Sequence, residues 1–406
     1  MFRCPPRIPA VAAAIALAWP AAQADVVTDW NVKANDLIVA GKVGPLPGNR
    51  VMAIAHVAAF EAVNAITGRY PASAQVVLDA GPGASVDAAV AAAMRGTLGK
   101  LLVPQLAEVD AAYQSALASV PDGPAKSAGI AVGEKAAAAV LAKRAADGAA
   151  APDSYLPFAV PGTYVPTASP VGAHWGKRTP WVLTSGAQLR PGAPPALGSE
   201  VWARDYNEVK ALGGKNSSQR NAAQTEIARF WEATQPVIYF SLARAVALQP
   251  GRDVTQNARL LATAAMAMDD ALIAIFDAKY AYNFWRPVTA TRNGDKDGVE
   301  ATERDPTWAP LIDTPLHPEY PCAHCVLSAS LGAVLQAEIG NGPVPRLATT
   351  SPTAPGVTRS WTSIADFTQE VANARIYDGV HYRNSTEVGS ALGRKVGEAV
   401  AAKTLR

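Results

Sequence analysis

A mainly α-helical fold is predicted by two features of the 406-residue chain. Long alanine-rich runs place apolar residues at three- and four-residue spacings, the period of a buried helix face. No region shows the sustained two-residue alternation of a strand-rich protein, although short strand pairs within loops remain compatible with the pattern. No internal repeat is evident.

The elements follow in order. Residues 1–24 carry Arg3 and Arg7, an apolar run from Ala10 to Trp19, and Ala22-Gln23-Ala24 before Asp25. That order reads as a secretory signal peptide, because the apolar run is too short to anchor in a bilayer. The two arginines are not adjacent, so twin-arginine export is not indicated. A periplasmic or secreted location is therefore expected, and no later stretch reads as long and apolar enough to span a membrane. Thr28-Asp29-Trp30 opens a helix to about Ala40, which Gly41–Gly48 interrupts. Arg50 to Ile66 is strongly apolar, and His56 within it is read as a core residue. Ser85–Val103, Gln105–Val120 and Ala125–Asp147 are further alanine-rich helices, whose small faces let helices approach closely.

Residues 148–197 break this pattern with nine prolines. A flexible linker is one reading, but Tyr155, Tyr164, His174, Trp175 and Trp181 favour a long ordered loop packed over the protein. Helical patterns resume over Ser199–Leu212, Ser217–Ala233 and Tyr239–Leu248, and Asp253–Phe284 is the longest of all. The expected organisation is a signal peptide (1–24), an N-terminal helical part (25–250) containing the Pro-rich loop, and a site-bearing part (251–406). The last two form one continuous globular unit.

Composition narrows the function classes. Cleavage after residue 24 removes two arginines and no acid, leaving 34 basic and 34 acidic side chains. Such a balance gives no electrostatic footprint for nucleic acid or an anionic membrane. Cys4 leaves with the leader, so Cys322 and Cys325 are the only later cysteines, too few for a disulfide scaffold.

The chemistry lies in the last third. Lys279 and Arg286 stand seven residues apart at the end of the longest helical pattern, nearly two turns, and Pro287 stops it. Pro321-Cys322-Ala323-His324 precedes an apolar helix from Val326 to Ile339, and Arg375 precedes His381 by six. Two arginines and a lysine suit a small tetrahedral oxyanion, since guanidinium forks donate parallel hydrogen bonds and lysine adds a point charge. Amides at a helix start add donors, and histidines supply a nucleophile or ligand and an acid or base.

Lys279-x6-Arg286-Pro287, Pro-Cys-Ala-His and Arg375-x5-His381 together resemble the three-part signature of the superfamily joining type-2 phosphatidic acid phosphatases, bacterial acid phosphatases and vanadium-dependent haloperoxidases. The contexts Trp285-Arg286-Pro287-Val288-Thr289-Ala290, His317-Pro318-Glu319-Tyr320-Pro321 and Arg375–Arg383, with the stretch Arg50 to Asn64, resemble the soluble haloperoxidase-like branch. The resemblance implies two helical bundles of the four-helix type and one anion pocket. Lys279, Arg286, Arg375 and the Ala323 amide would hold the oxygens of vanadate or phosphate. His381 would bind vanadium or attack phosphorus, and His324 would act as acid–base. Peroxide and halide would be the substrates of a haloperoxidase, and a phosphomonoester that of a phosphatase needing no cofactor. A homo-oligomer is compatible with either.

Three positions depart from the usual pattern. Cys322 replaces a serine of the oxyanion site, Ala323 a glycine, and Ala374 the serine before the arginine. Cys322-x-x-Cys325 also reads alone as a thiol–disulfide redox motif or as a structural disulfide, and loss of turnover would leave a non-catalytic oxyanion binder. His317 is either near the halide, as the resemblance implies, or solvent-facing in a Pro-rich turn. Phe276 reads as core. Asp378, Glu226 and Glu232 are the candidates to buttress a site residue.

Overall fold

Four of the helices begin on a proline whose fixed φ suits the first turn: Pro45–Thr67 (α2), Pro124–Arg144 (α5), Pro236–Ala247 (α8) and Pro287–Arg292 (α10). In this computed structural model, which describes residues 24–72, 75–81 and 83–405, side chains cap many of the others. Asp25 and Asp253 close capping boxes at the starts of Val26–Ala40 (α1) and Val254–Tyr282 (α9). Ser85, Ser199, Asn221 and Ser363 cap Val86–Leu101 (α3), Glu200–Gly213 (α6), Ala222–Phe230 (α7) and Ile364–Tyr377 (α12). Leu106–Ala118 (α4), Ala323–Ile339 (α11) and Arg383–Thr404 (α13) complete the helices. The predicted signal peptide lies outside the described residues, apart from Ala24.

The 29-residue α9 is the axis of the fold, buried along almost its whole length. Helices α2, α8, α11 and α13 pack around it, and α3 and α5 lie beyond α2. A single apolar cluster runs from Val27 to Ala401, through both the N-terminal and the C-terminal parts. Helix α2 corrects one sequence expectation, since by length and composition it would cross a membrane. Its apolar window is 78% buried against the other helices, so core packing accounts for that composition. The helix also starts five residues before Arg50, because Pro45 and Pro47 fit a first turn and do not prevent one.

Two helix pairs approach unusually closely, by the same device. On α13, a Cβ at Gly389, Gly393 or Gly397 would come within 2.7, 2.2 and 2.3 Å of the Cys322, Val326 and Ser330 carbonyls of α11. On α5, Gly129 and Gly133 stand in the same relation to the Ser85 and Ala89 carbonyls, at 2.3 and 2.1 Å. Only glycine at four-residue spacing permits this contact. Through it, the C-terminal pair fixes the first turn of α11, where the Pro-Cys-Ala-His motif lies.

The Pro-rich stretch is an ordered loop, with two 3-10 turns at Trp175–Lys177 and Gly186–Leu189. Asp269 and Asp270 of α9 pin it. Asp270 accepts from the amides of Trp181, Val182 and Leu183, and Asp269 from Arg178 and the Trp181 indole. Further along, the amide of Tyr164 donates to Asn283, and that of Trp285 to Gly162, so the loop closes over the end of α9. An antiparallel hairpin, Leu347–Ser351 (β1) with Ala354–Trp361 (β2), is the only sheet among the described residues. Trp361 packs its ring on Trp231 and Phe367.

Candidate active site

Lys279 sits in the last turn of α9, which ends at Asn283 in a left-handed conformation (φ 50°). Arg286 then caps α10 from outside, held by the loop over Trp285. Ala323 and His324 open α11, where the leading amides have no acceptor within the helix. Arg375 lies in the last turn of α12, and His381 in the short link to α13. These five residues, spread over a hundred positions, meet at one point. Arg286 Nη1 lies 3.3 Å from His381 Nε2, and the Lys279, Arg286 and Arg375 charges all act on His324 and His381.

The three cations are completely buried, and backbone oxygens hold them. Lys279 Nζ donates to the carbonyls of Pro318 (2.9 Å) and Glu319 (2.8 Å). Arg286 donates to those of His317 (3.0 Å) and Val380 (2.8 Å). Arg375 donates to Trp231 (2.8 Å), and its Nη1 lies 2.6 Å from Asp378 Oδ2. Burial, with Arg286 close by, pushes the Lys279 ammonium well below its usual range. Burial likewise brings Arg286 down to about 10. The carbonyl dipoles offset part of the cost of burying these groups and hold them as donors for an incoming anion.

His381 has two distinct nitrogens. Nδ1 lies 2.7 Å from Glu319 Oε1, which also accepts from the Tyr382 amide at 3.1 Å. The carboxyl therefore takes the Nδ1 proton as its hydrogen bond and leaves Nε2 a lone pair facing the cations. His324 Nε2 is buried and, like Arg375 Nε, has no hydrogen-bond partner among the described residues. Burial first, then the nearby cations, holds His317, His324 and His381 well below the ordinary histidine range, so all three are neutral at pH 7. Glu319 is pushed up to about 7 by burial, against the pull of Arg286 and Lys279.

Some expectations change here. Cys322 and Cys325 form a disulfide, so Cys322 has no S–H to offer an oxyanion. Its sulfur instead accepts from the Cys325 amide (3.2 Å), and the pair packs with Ala372 of α12. Glu226 pairs with Arg359 near the surface, and the Glu232 carboxylate with Arg229. Of the three suggested acids, only Asp378 reaches a site residue through its carboxylate, while Glu232 meets His324 through its backbone. His317 is half-buried and turned into the site: Nδ1 is 3.0 Å from Arg286 Nη2, and the ring lies 5.0 Å from that of Phe276. His56 is core, bonded to Asn31 and stacked on Phe240.

Glu319 was not singled out from the sequence. Its only signal was position, a carboxylate five residues before His324 in a stretch already matched to the haloperoxidase-like branch.

Residues 259–406, which carry Lys279, Arg286, His317, Glu319, His324, Arg375, Asp378 and His381, match the family model of the VCPO second helical-bundle domain. The fold as a whole is similar to that of vanadium-dependent haloperoxidases. A bacterial vanadium-dependent iodoperoxidase superposes with a TM-score of 0.80 at 24% identity, over 93% of this chain and 96% of that one. Bacterial vanadium-dependent chloroperoxidases, apo-type and holo-type, superpose at 0.70 and 0.69 with 16% identity. The apo-type comparison covers 90% of this chain and 94% of the other, and the holo-type 96% of each. No curated protein matches the sequence.

Proposed function

We propose that the chain is a vanadate-dependent haloperoxidase, acting after export, that oxidises a halide with hydrogen peroxide. The observation that carries this reading is the Glu319–His381 pair: a neutral imidazole whose Nδ1 is engaged and whose Nε2 lone pair points among three buried cations. The residues present fit a metal oxyanion. His381 Nε2 would be the ligand, Lys279, Arg286 and Arg375 the counter-charges, and the amides at the head of α11 further donors. Bound vanadate supplies a Lewis acid that activates peroxide toward a halide without changing its own charge state.

The side chains perform the rest. Arg286 and Arg375 offset the charge of the anion in a site of low dielectric, where such interactions are strong. Lys279, short of hydrogen-bond acceptors other than two carbonyls, polarises whatever oxygen stands above it. His324, neutral and with a free Nε2, accepts a proton from peroxide and returns it to the departing oxygen. His317 and Phe276 form the apolar side of the site. The disulfide leaves no thiol at the head of α11 for peroxide or hypohalous acid to oxidise.

The test is a side-by-side assay of the purified protein, with and without vanadate. Vanadate-dependent oxidation of iodide or bromide by peroxide is expected, with little phosphomonoester hydrolysis. Hydrolysis that vanadate inhibits, without halide oxidation, would instead identify an acid phosphatase acting through phosphorylated His381.

A further inference from the structure

A second feature lies on the other side of Phe276. Between the Pro-rich loop and the last turns of α9 is a cleft of about 380 Å³, a size found in small-molecule sites. Its walls are the rings of Tyr155, Phe276 and Tyr280, with Leu156 at the lip and Lys177 and Arg190 at the edge. Tyr155 and Tyr280 meet edge to face at 5.1 Å, and Phe276 lies 6.4 Å from Tyr280.

Both phenols turn their hydroxyls away to protein acceptors, Tyr155 to Asn283 Oδ1 (2.7 Å) and Tyr280 to the Val171 carbonyl (2.6 Å). What remains for a ligand is aromatic surface. The geometry is rigid, because Asp153 binds the amides of Gly172 and His174 and holds the loop against α9. Arg190 is committed to Asp277 through two hydrogen bonds. Lys177 is exposed and has no ion-pair partner among the described residues. Leu156 is 84% exposed, and Phe158, beyond it on the loop, 58%, so the lip of the cleft carries two large apolar side chains open to solvent.

We infer that this cleft binds an aromatic carboxylic acid, ring against the aromatic wall of Tyr155, Phe276 and Tyr280 and carboxylate on Lys177, as the organic acceptor of the oxidised halogen. The assignment of the ligand follows from complementarity: aromatic walls favour a ring, and the one uncommitted cation favours an anion. Its role as acceptor rests on the haloperoxidase reading. Phe276 is shared between the cleft and His317, so a single ring separates the bound acid from the site. The transfer is balanced: the electrophilic halogen of hypohalous acid replaces a ring hydrogen as the C–halogen bond forms, and water leaves with that proton.

The probe is 4-hydroxybenzoate, with 4-hydroxybenzyl alcohol as the uncharged control, titrated calorimetrically into the full chain. We expect saturable binding of the acid, weakened roughly two- to fivefold in Lys177→Gln and again in Leu156→Ser, with the alcohol bound more weakly than the acid. Both substitutions are at exposed positions and should leave halide oxidation, followed as triiodide, unchanged, while the KM for 4-hydroxybenzoate halogenation rises in each. Equal affinity of wild type and Lys177→Gln, or no binding while triiodide formation proceeds, would overturn the inference. Binding of the acid with no halide oxidation at all would overturn its role as acceptor and the haloperoxidase reading with it, but leave the cleft as a binding site.

Discussion

Helix α9 carries two buried charge clusters ten residues apart, and they are built in opposite ways. Near its middle, Asp269 meets Arg178, and through Asp147 also Arg50 and Arg144, while the adjacent Asp270 takes the loop amides. Three guanidinium groups face three carboxylates, and every carboxylate oxygen accepts at least one hydrogen bond. Near its end, Lys279, Arg286 and Arg375 face carbonyl dipoles, and the nearby carboxyls of Glu319 and Asp378 are pushed by burial up to about 7 and about 6. The first cluster balances its charges, so it serves to hold the loop. The second sets three cations mainly against carbonyl dipoles and leaves the imidazole His324 Nε2 without a partner among the described residues.

Breaking each cluster should have different consequences. Asp269→Ala strands Arg178 in the core, and stability should fall by about 3–5 kcal/mol, measured by urea denaturation. An equally stable variant would mean that the loop is held by other contacts. Arg286→Ala should lower stability less, since it relieves a concentration of like charge and breaks no ion pair, whereas Arg375→Ala strands the buried Asp378 carboxylate. Each should weaken vanadate binding by about 1.5–3 kcal/mol, the range for hydrogen bonds to charged groups, which is roughly 10- to 150-fold in Kd. If Arg286→Ala lost as much stability as Asp269→Ala and kept vanadate affinity, the contrast between the clusters would be wrong.

A smaller effect sharpens the second cluster. Burial holds Glu319 protonated up to about 7, above the usual carboxylic range. An anion bound nearby raises that value further, so binding is linked to proton uptake. Affinity contributed by this linkage is fully present below about 7 and declines as Glu319 ionises at higher pH. Vanadate titrations from pH 6 to 8.5 should therefore fall more steeply in the wild type than in Glu319→Gln. Parallel slopes would show that Glu319 does not titrate in this window.

How much of this was legible in the sequence depends on the range of each interaction. Helices such as α3, α5 and α9 could be read from periodicity and composition, because those signals are local. The three motif pieces were legible for the same reason, each being a fixed spacing on one segment. The closed cluster was not: Asp147, Arg178 and Asp269 are separated by 31 and 91 residues, and nothing in their own neighbourhoods indicates pairing. Glu319 was overlooked because its partner His381 lies 62 residues on. Helix α7 was overextended, since Ser217 to Asn221 looks helical by composition but folds as a turn tied by Arg220 to the Leu212 and Gly214 carbonyls. Cys322 shows the converse, where local spacing permitted either a thiol or a disulfide and the structure contains the bond.

The central claim is that His381 Nε2 is a ligand position within a cationic site. Equilibrium dialysis of vanadate against the wild type and His381→Ala, with circular dichroism to confirm the fold, tests it most directly. The account predicts one vanadate per wild-type chain and loss of that binding in a folded His381→Ala. Undiminished stoichiometric binding by His381→Ala would contradict it.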